Sequence, residues 1–399
     1  MSESNPGALN GIRILDLTRV LAGPVCTMML ADLGAEVIKI EIPGKGDDSR
    51  AFSPFQNGES AYFMNLNRNK KGITLNMKSE KGKQVFLDMV RQADMVVENF
   101  RPGVIERLGF GYERLKQVNP SIIYGAVSGF GHTGPYAQRP GYDAIGQAMS
   151  GLMSTTGWPE TGPTRIGMPM ADYLAGLSTT IALLAALQYR NRTGRGQMVD
   201  IGLMDAGIAS MQVIQDYYLV EGRLPQPIGN RYESNYPTDG FPTKDGQMMV
   251  SAANDKLWKA MCIAMGKPEL AETEKTATNK QRLANWPWIR EQIISWCGEK
   301  TTAEAVDILL KGGVPAAPIN NIAQVVADPH TKARGMFTEI EHPVAGKLTI
   351  TASQLKLSET PAAVRTPSPT LGQDNEAVYG ALLGLTPEEV ERYRQEGVF

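Results

Sequence analysis

Histidine is scarce in this chain, with three in 399 residues, at positions 132, 330 and 342. That scarcity argues against metal sites built from several imidazoles, and no metal is expected. Cysteine is equally scarce. Cys26, Cys262 and Cys297 are far apart and odd in number. They suggest neither a disulfide framework nor a zinc knuckle, and they fit a reduced cytoplasmic compartment. No charge of one sign dominates, because 40 Lys and Arg face 42 Asp and Glu. With no basic surplus to neutralise a phosphate backbone, a nucleic-acid partner is not expected. The opening MSESNPGALNGIRIL lacks the basic-then-apolar order of a secretory signal. The most apolar helical run, Leu174 to Leu187, is shorter than the ~20 residues of a membrane span, so no membrane is expected either. The motifs G-x-x-x-x-G-K-[ST], G-x-S-x-G and H-E-x-x-H are all absent.

What is present is alternation. Ile12 to Leu17, Glu36 to Glu41, Ile73 to Met77, Met95 to Phe100, Ile122 to Val127 and Met198 to Leu203 read as strands. Helical stretches lie between them: Val25 to Leu33, a segment capped by Ser79, and Asp172 to Arg190. Alternating β and α elements predict an α/β fold: a Rossmann-like, doubly wound large domain with helices on both faces. After about Glu221 prolines and glycines crowd the chain, which predicts a linker into a second, smaller α+β domain. The expected bounds are 1–205 for the large domain, completed by 335–399, with 206–227 as linker, 228–325 as the small domain and 326–334 as the return. One further helix is expected in the tail, opened by Thr386 and Pro387.

A β-α-β start with Glu41 ending its second strand invites a dinucleotide reading. The loop Arg19 to Pro24 holds one glycine and no G-x-G-x-x-G, so the backbone cannot approach a pyrophosphate in that way, and a dehydrogenase is disfavoured.

The most conspicuous ionisable residue is Asp172, just before an almost wholly apolar helix. Two readings stand. It caps that helix and does nothing else, or the helix N-terminus keeps it ionised and it serves as a nucleophile. Glycines at 129, 131, 134, 141, 146 and 151 surround Tyr136 and Tyr142, mostly as turn chemistry. Asn99, at a strand end, and Arg107 flank the Pro102-Gly103 turn, where open α/β sheets bind ligands.

The segments GIRILDLTRVLAGP, LGAEVIKIE, AYFMNLNRNKKGITLNMK, ADMVVENFRPGVIERLGFGY, PSIIYGAVSGFG, PGYDA, TGRGQMVDIGL and GVPAAPINN, in this order, resemble the class III CoA-transferase family. That family includes formyl-CoA:oxalate transferase, carnitine CoA-transferase and α-methylacyl-CoA racemase. The resemblance implies an interlocked homodimer that takes CoA thioesters and small carboxylic acids as substrates. It implies Asp172 as nucleophile, passing through aspartyl anhydride and aspartyl-CoA thioester intermediates. It places CoA contacts at Val20, Leu75, Asn99 and Arg107, and substrate contacts at Leu21, Tyr62 and Tyr142. The departures are Leu21 for a glutamine, Ile42 for an arginine, and no glycine-run loop between Leu224 and Gly246; they argue against oxalate or formate as the acid. The racemase branch is the alternative, but it carries a histidine where Tyr142 stands, and a phenol of pKa ~10 does not replace an imidazole simply. His132 is expected in an exposed loop. A non-catalytic CoA-binding protein is the second alternative. Dicarboxylic acids, with succinyl-CoA as donor, fit the resemblance best.

Overall fold

The computed structural model describes residues 6–399. The chain divides into two compact units: residues 1–153, 165–223 and 330–399 form one, and residues 154–164 and 224–329 the other. The second unit is therefore wider than the expected 228–325 and takes in a short earlier segment. The stretch expected as a linker instead carries two helices of the first unit, Leu203–Ser210 and Gln212–Leu219.

The first unit is built on six parallel strands: β1 (Arg13–Asp16), β2 (Glu36–Glu41), β3 (Lys70–Thr74), β4 (Met95–Glu98), β5 (Ile123–Ser128) and β6 (Met198–Gly202). Their order is β3-β2-β1-β4-β5-β6, the doubly wound arrangement whose ligands bind beyond the carboxyl ends of the strands. Both faces are covered, as a parallel sheet requires. Ile14, Val37 and Val97 point to one face, under α1 (Ala22–Asp32) and the long helix Met170–Thr193. Their neighbours Leu15, Ile38 and Val96 point to the other, under α2 (Glu80–Val90) and a C-terminal helix, Asn375–Leu383. Successive side chains thus alternate between two buried faces, as the two-residue period of a strand requires. The tail thus supplies two helices rather than the single one expected. Phe399 stacks on Tyr379 with centroids 3.8 Å apart, sealing that face.

β3 begins three residues earlier than the apolar pattern predicts, at Lys70 rather than Ile73. The reason is an ion pair. Lys70 and Asp16 are both wholly buried, 2.9 Å apart, and Thr27 and Asn67 accept the remaining ammonium protons at 2.7 and 3.0 Å. Beside them Lys39 and Asp47 form a second buried pair at 2.9 Å. A charge at the start of a strand, such as Lys70, reads as a loop in sequence because its partner Asp16 is far away in the chain.

The helix Met170–Thr193 has 24 residues and, by length and composition alone, is long enough to cross a membrane. The helix expected from Asp172 to Arg190 falls two residues short of it at the start and three at the end. It packs against α1, the helix Leu203–Ser210 and strands β5 and β6, as the core helix of the unit.

The second unit has a three-stranded antiparallel sheet made of Thr238–Pro242, Gln247–Ser251 and Ala316–Pro318. Helices between Asp255 and Lys311 pack on it around Trp258, Met261, Ile293 and Leu309.

Removing one partner of a fully buried ion pair leaves an uncompensated charge. Lys70→Ala is therefore predicted to cost about 3–5 kcal/mol, measured as a drop in unfolding free energy in urea. A surface pair such as Lys311–Asp307, truncated likewise, should cost about 0–1 kcal/mol.

Candidate active site

The long helix, α4 (Met170–Thr193, following α3, Asp143–Ser150), decides where Asp172 faces. Asp172 and Gly176 are four residues apart and lie on one side of it. At Gly176 the helix approaches α1 so closely that a Cβ would stand 2.7 Å from the Ala22 carbonyl. Asp172, one turn earlier, therefore looks onto the loop that enters α1. A cleft of about 240 Å³ opens there, with Asp172, Val20, Leu21, Asn99 and Tyr142 in its walls. Five of the residues singled out in sequence thus converge. Tyr62 packs beside Val20 and Leu21. Its hydroxyl is held well above the usual phenol range, first by burial and then by the Asp172 charge. Leu75 is sealed in the core, its N–H donated to the Glu41 carbonyl. Arg107 is exposed, and neither residue lines the cleft.

Asp172 is not the cap of its helix. Pro169 occupies that position without a side-chain bond. Asp143, from α3, does the capping instead: its Oδ1 accepts the backbone N–H of Ala171 at 2.8 Å and of Asp172 at 3.3 Å. Gln147 donates to the other carboxylate oxygen at 2.8 Å and accepts the N–H of Ile166 at 2.9 Å, fixing the approach to the helix. The Asp172 carboxylate makes no hydrogen bond among the described residues. Burial, and next the negative charge of Asp143, push its pKa up to about 7. Desolvation and a like charge thus outweigh the helix dipole, contrary to the expectation that the helix end alone keeps the group ionised.

The facing loop is tightly held. The Asn99 side chain accepts the Arg19 N–H and donates to the Arg19 carbonyl, both at 2.7 Å. Lys39 donates to the Thr18 carbonyl at 2.9 Å, and Asp47 accepts the Val20 N–H at 3.2 Å. These bonds hold Val20 at φ +66°, a left-handed conformation that costs a β-branched residue about 1–3 kcal/mol. Arg19 is ion-paired with Asp48.

Sequence reasoning passed over two features and misplaced a third. Asp143 was visible only as part of PGYDA, and its target N–H groups lie 28 residues away. Ser128, at the carboxyl end of β5, lines the cleft, is 6% exposed, and its hydroxyl has no partner among the described residues; its place at a strand end was the available signal. The third is His132. Its side chain is 12% exposed rather than lying in an open loop, and its Nε2 stands 3.7 Å from Glu98. Glu98 is itself pushed up to about 8 by burial.

Among the described residues, no cluster of His, Cys, Asp and Glu could hold a metal ion. A sequence profile described as CoA-transferase family III matches residues 9–375. An acetyl-CoA:oxalate CoA-transferase of Acetobacter aceti is 41% identical, over 84% of this chain and 88% of that protein. A succinyl-CoA:glutarate CoA-transferase of Homo sapiens is 38% identical, over 99% and 90%. The crystal structure of a CAIB/BAIF family protein from Brucella suis superposes with a TM-score of 0.85 at 36% identity, covering 94% of this chain and all of that one.

A raised carboxyl pKa has a stability consequence. Folded Asp172 holds a proton that the unfolded chain releases near pH 4, so folding stability falls as pH rises from about 4 to about 7. Asp172→Asn should remove that fall, worth at most about 4 kcal/mol. Asp143→Asn should move it to lower pH. Urea unfolding at a series of pH values measures both.

Proposed function

The chain belongs to CoA-transferase family III, and on that premise we propose that Asp172 carries CoA from an acyl-CoA to a free carboxylic acid. Coenzyme A thioesters and carboxylic acids are the substrates of such an enzyme. The observation that carries the assignment is the Asp172 carboxylate, half-buried on the cleft wall, unbonded, and raised to about 7. An ionised carboxylate stripped of hydrogen bonds is a stronger nucleophile than a solvated one.

The steps balance as follows. A carboxylate oxygen of Asp172 attacks the thioester carbonyl and the C–S bond breaks, giving a mixed anhydride and CoA thiolate. The thiolate attacks the Asp172 acyl carbon and expels the donor acid as its carboxylate, leaving an aspartyl-CoA thioester. The acceptor carboxylate repeats the sequence in reverse, and Asp172 is regenerated. No proton is consumed, so the site needs no general acid. It needs exclusion of water, since anhydride and thioester both hydrolyse, and a donor for the oxyanion of each tetrahedral intermediate. Ser128 is that donor in this proposal. Its buried hydroxyl bonds nothing else among the described residues, and a buried group left unpaired is otherwise a cost of about 1–3 kcal/mol.

At about 240 Å³ the cleft is below the roughly 300–1,000 Å³ that hold drug-sized ligands. It suits the acyl end, with the nucleotide lying outside. A dicarboxylic acid as acceptor and succinyl-CoA as donor are supported by the human relative's activity. The oxalate-acting relative shares even more identity, so Leu21 and Ile42 alone do not set oxalate aside. Action as the family's interlocked homodimer, in the cytoplasm, belongs to the same proposal.

Asp172→Ala is expected to abolish transfer, read as appearance of a new CoA thioester by mass spectrometry, while the variant still unfolds cooperatively and, at neutral pH, no more easily than the wild type. Transfer at an undiminished rate would refute the assignment. Ser128→Ala should lower kcat by about a hundredfold. Because no protein hydrogen bond is lost, thermal stability should hold or rise; a loss of stability matching the loss of activity would make Ser128 structural.

A further inference from the structure

The loop after β5 forms one wall of the cleft. It lies against the strand end because Gly129 and Gly141 meet backbone to backbone: a Cβ on either would stand 2.7 Å from the other's Cα. Two residues before that contact, Arg139 sits over the ring of Tyr136, its guanidinium carbon 3.7 Å from the ring centroid. Tyr136 is in turn braced edge-on by Phe130, with centroids 5.9 Å apart. Stacking fixes the plane of the guanidinium but spends none of its N–H donors. Arg19, in the opposite wall, has its charge taken up by Asp48. Arg139 has no carboxylate and no hydrogen-bond acceptor for its side chain among the described residues, yet it lines the same cleft as Asp172.

A dicarboxylic acid brings two carboxylates to this cleft. One joins the anhydride at Asp172. The other stays ionised, in a place where Asp172 and Asp143 already supply negative charge. It enters only if a cation compensates it, and a planar, unspent guanidinium matches a carboxylate fork for fork. We propose that Arg139, on its Tyr136 shelf, recognises the carboxylate of a dicarboxylic substrate that is not bonded to CoA. This deepens the transferase reading and rests on it. It makes Arg139 the residue that selects dicarboxylic over monocarboxylic acids, on the donor side as well as the acceptor side.

The alternative source of the same anion chemistry is a phosphate of CoA, and two donors separate them. Succinyl-CoA and butyryl-CoA share their CoA and their chain length and differ in the free carboxylate. With the full-length protein, kcat/KM for succinyl-CoA is measured in wild type and Arg139→Gln, with butyryl-CoA followed as substrate or as competitive inhibitor. The variant should lose about ten- to a hundredfold on succinyl-CoA, with butyryl-CoA changed less than about twofold. Equal losses on both thioesters would assign Arg139 to the CoA phosphates and overturn the proposal, as would no loss on either. A wild type that transfers CoA from no donor at all would instead refute the underlying transferase reading. Arg139 is exposed and its guanidinium hydrogen-bonds nothing among the described residues, so the variant is expected to fold, and a circular-dichroism melt checks that directly.

Discussion

One carboxylate caps a helix so that another need not. The first turn of α4 offers backbone N–H groups that Asp172 would ordinarily take for itself. Asp143 takes them instead, from a different helix, and is anchored there by Gln147. Asp172 is left with no hydrogen-bond partner among the described residues, and burial, with the like charge of Asp143 nearby, raises its pKa to about 7. All the chemistry proposed for the site follows from that displacement. A solvated, hydrogen-bonded aspartate would be a poor nucleophile toward a thioester, whereas one under-stabilised as an anion gains by exchanging its charge for that of a thiolate or a departing acid.

The opposite wall is held by charge buried deeper in the sheet. Lys39, Asp47, Lys70 and Asp16 form pairs that are closed to water, and three of these four, Lys39, Asp47 and Asp16, also bond the backbone of the Thr18–Val20 loop. Pairs of this kind contribute little net stability relative to apolar packing. Their consequence here is positional. They keep Val20 in a backbone conformation it would not otherwise adopt, and Asn99 clamps the residue before it. The rigidity of the loop facing Asp172 is thus supplied by Lys39, Asp47 and Asp16, which do not line the cleft, together with Asn99, which does.

Most of the sheet was legible in sequence, because a strand buried on both faces writes itself as an apolar run. β1, β2, β4 and β5 stand close to where those runs lie. β3 was misplaced because Lys70 is made strand-compatible only by Asp16, 54 residues earlier. The convergence of Val20, Leu21, Asn99 and Tyr142 on Asp172 was anticipated through the family resemblance, since nothing in local spacing brings those segments together. The roles of Asp143 and Ser128 were not legible. One depends on which backbone groups lie opposite a side chain, the other on a hydroxyl having no partner, and neither property belongs to a residue type.

The measurement that bears most directly on the central claim is the mass of the intact protein during turnover with succinyl-CoA, followed by peptide mapping. Asp172 as covalent carrier predicts an adduct heavier by CoA less one water, on the peptide containing Asp172, discharged when an acceptor acid is added. Turnover without any adduct, or an adduct on another residue that persists in Asp172→Ala, would contradict it.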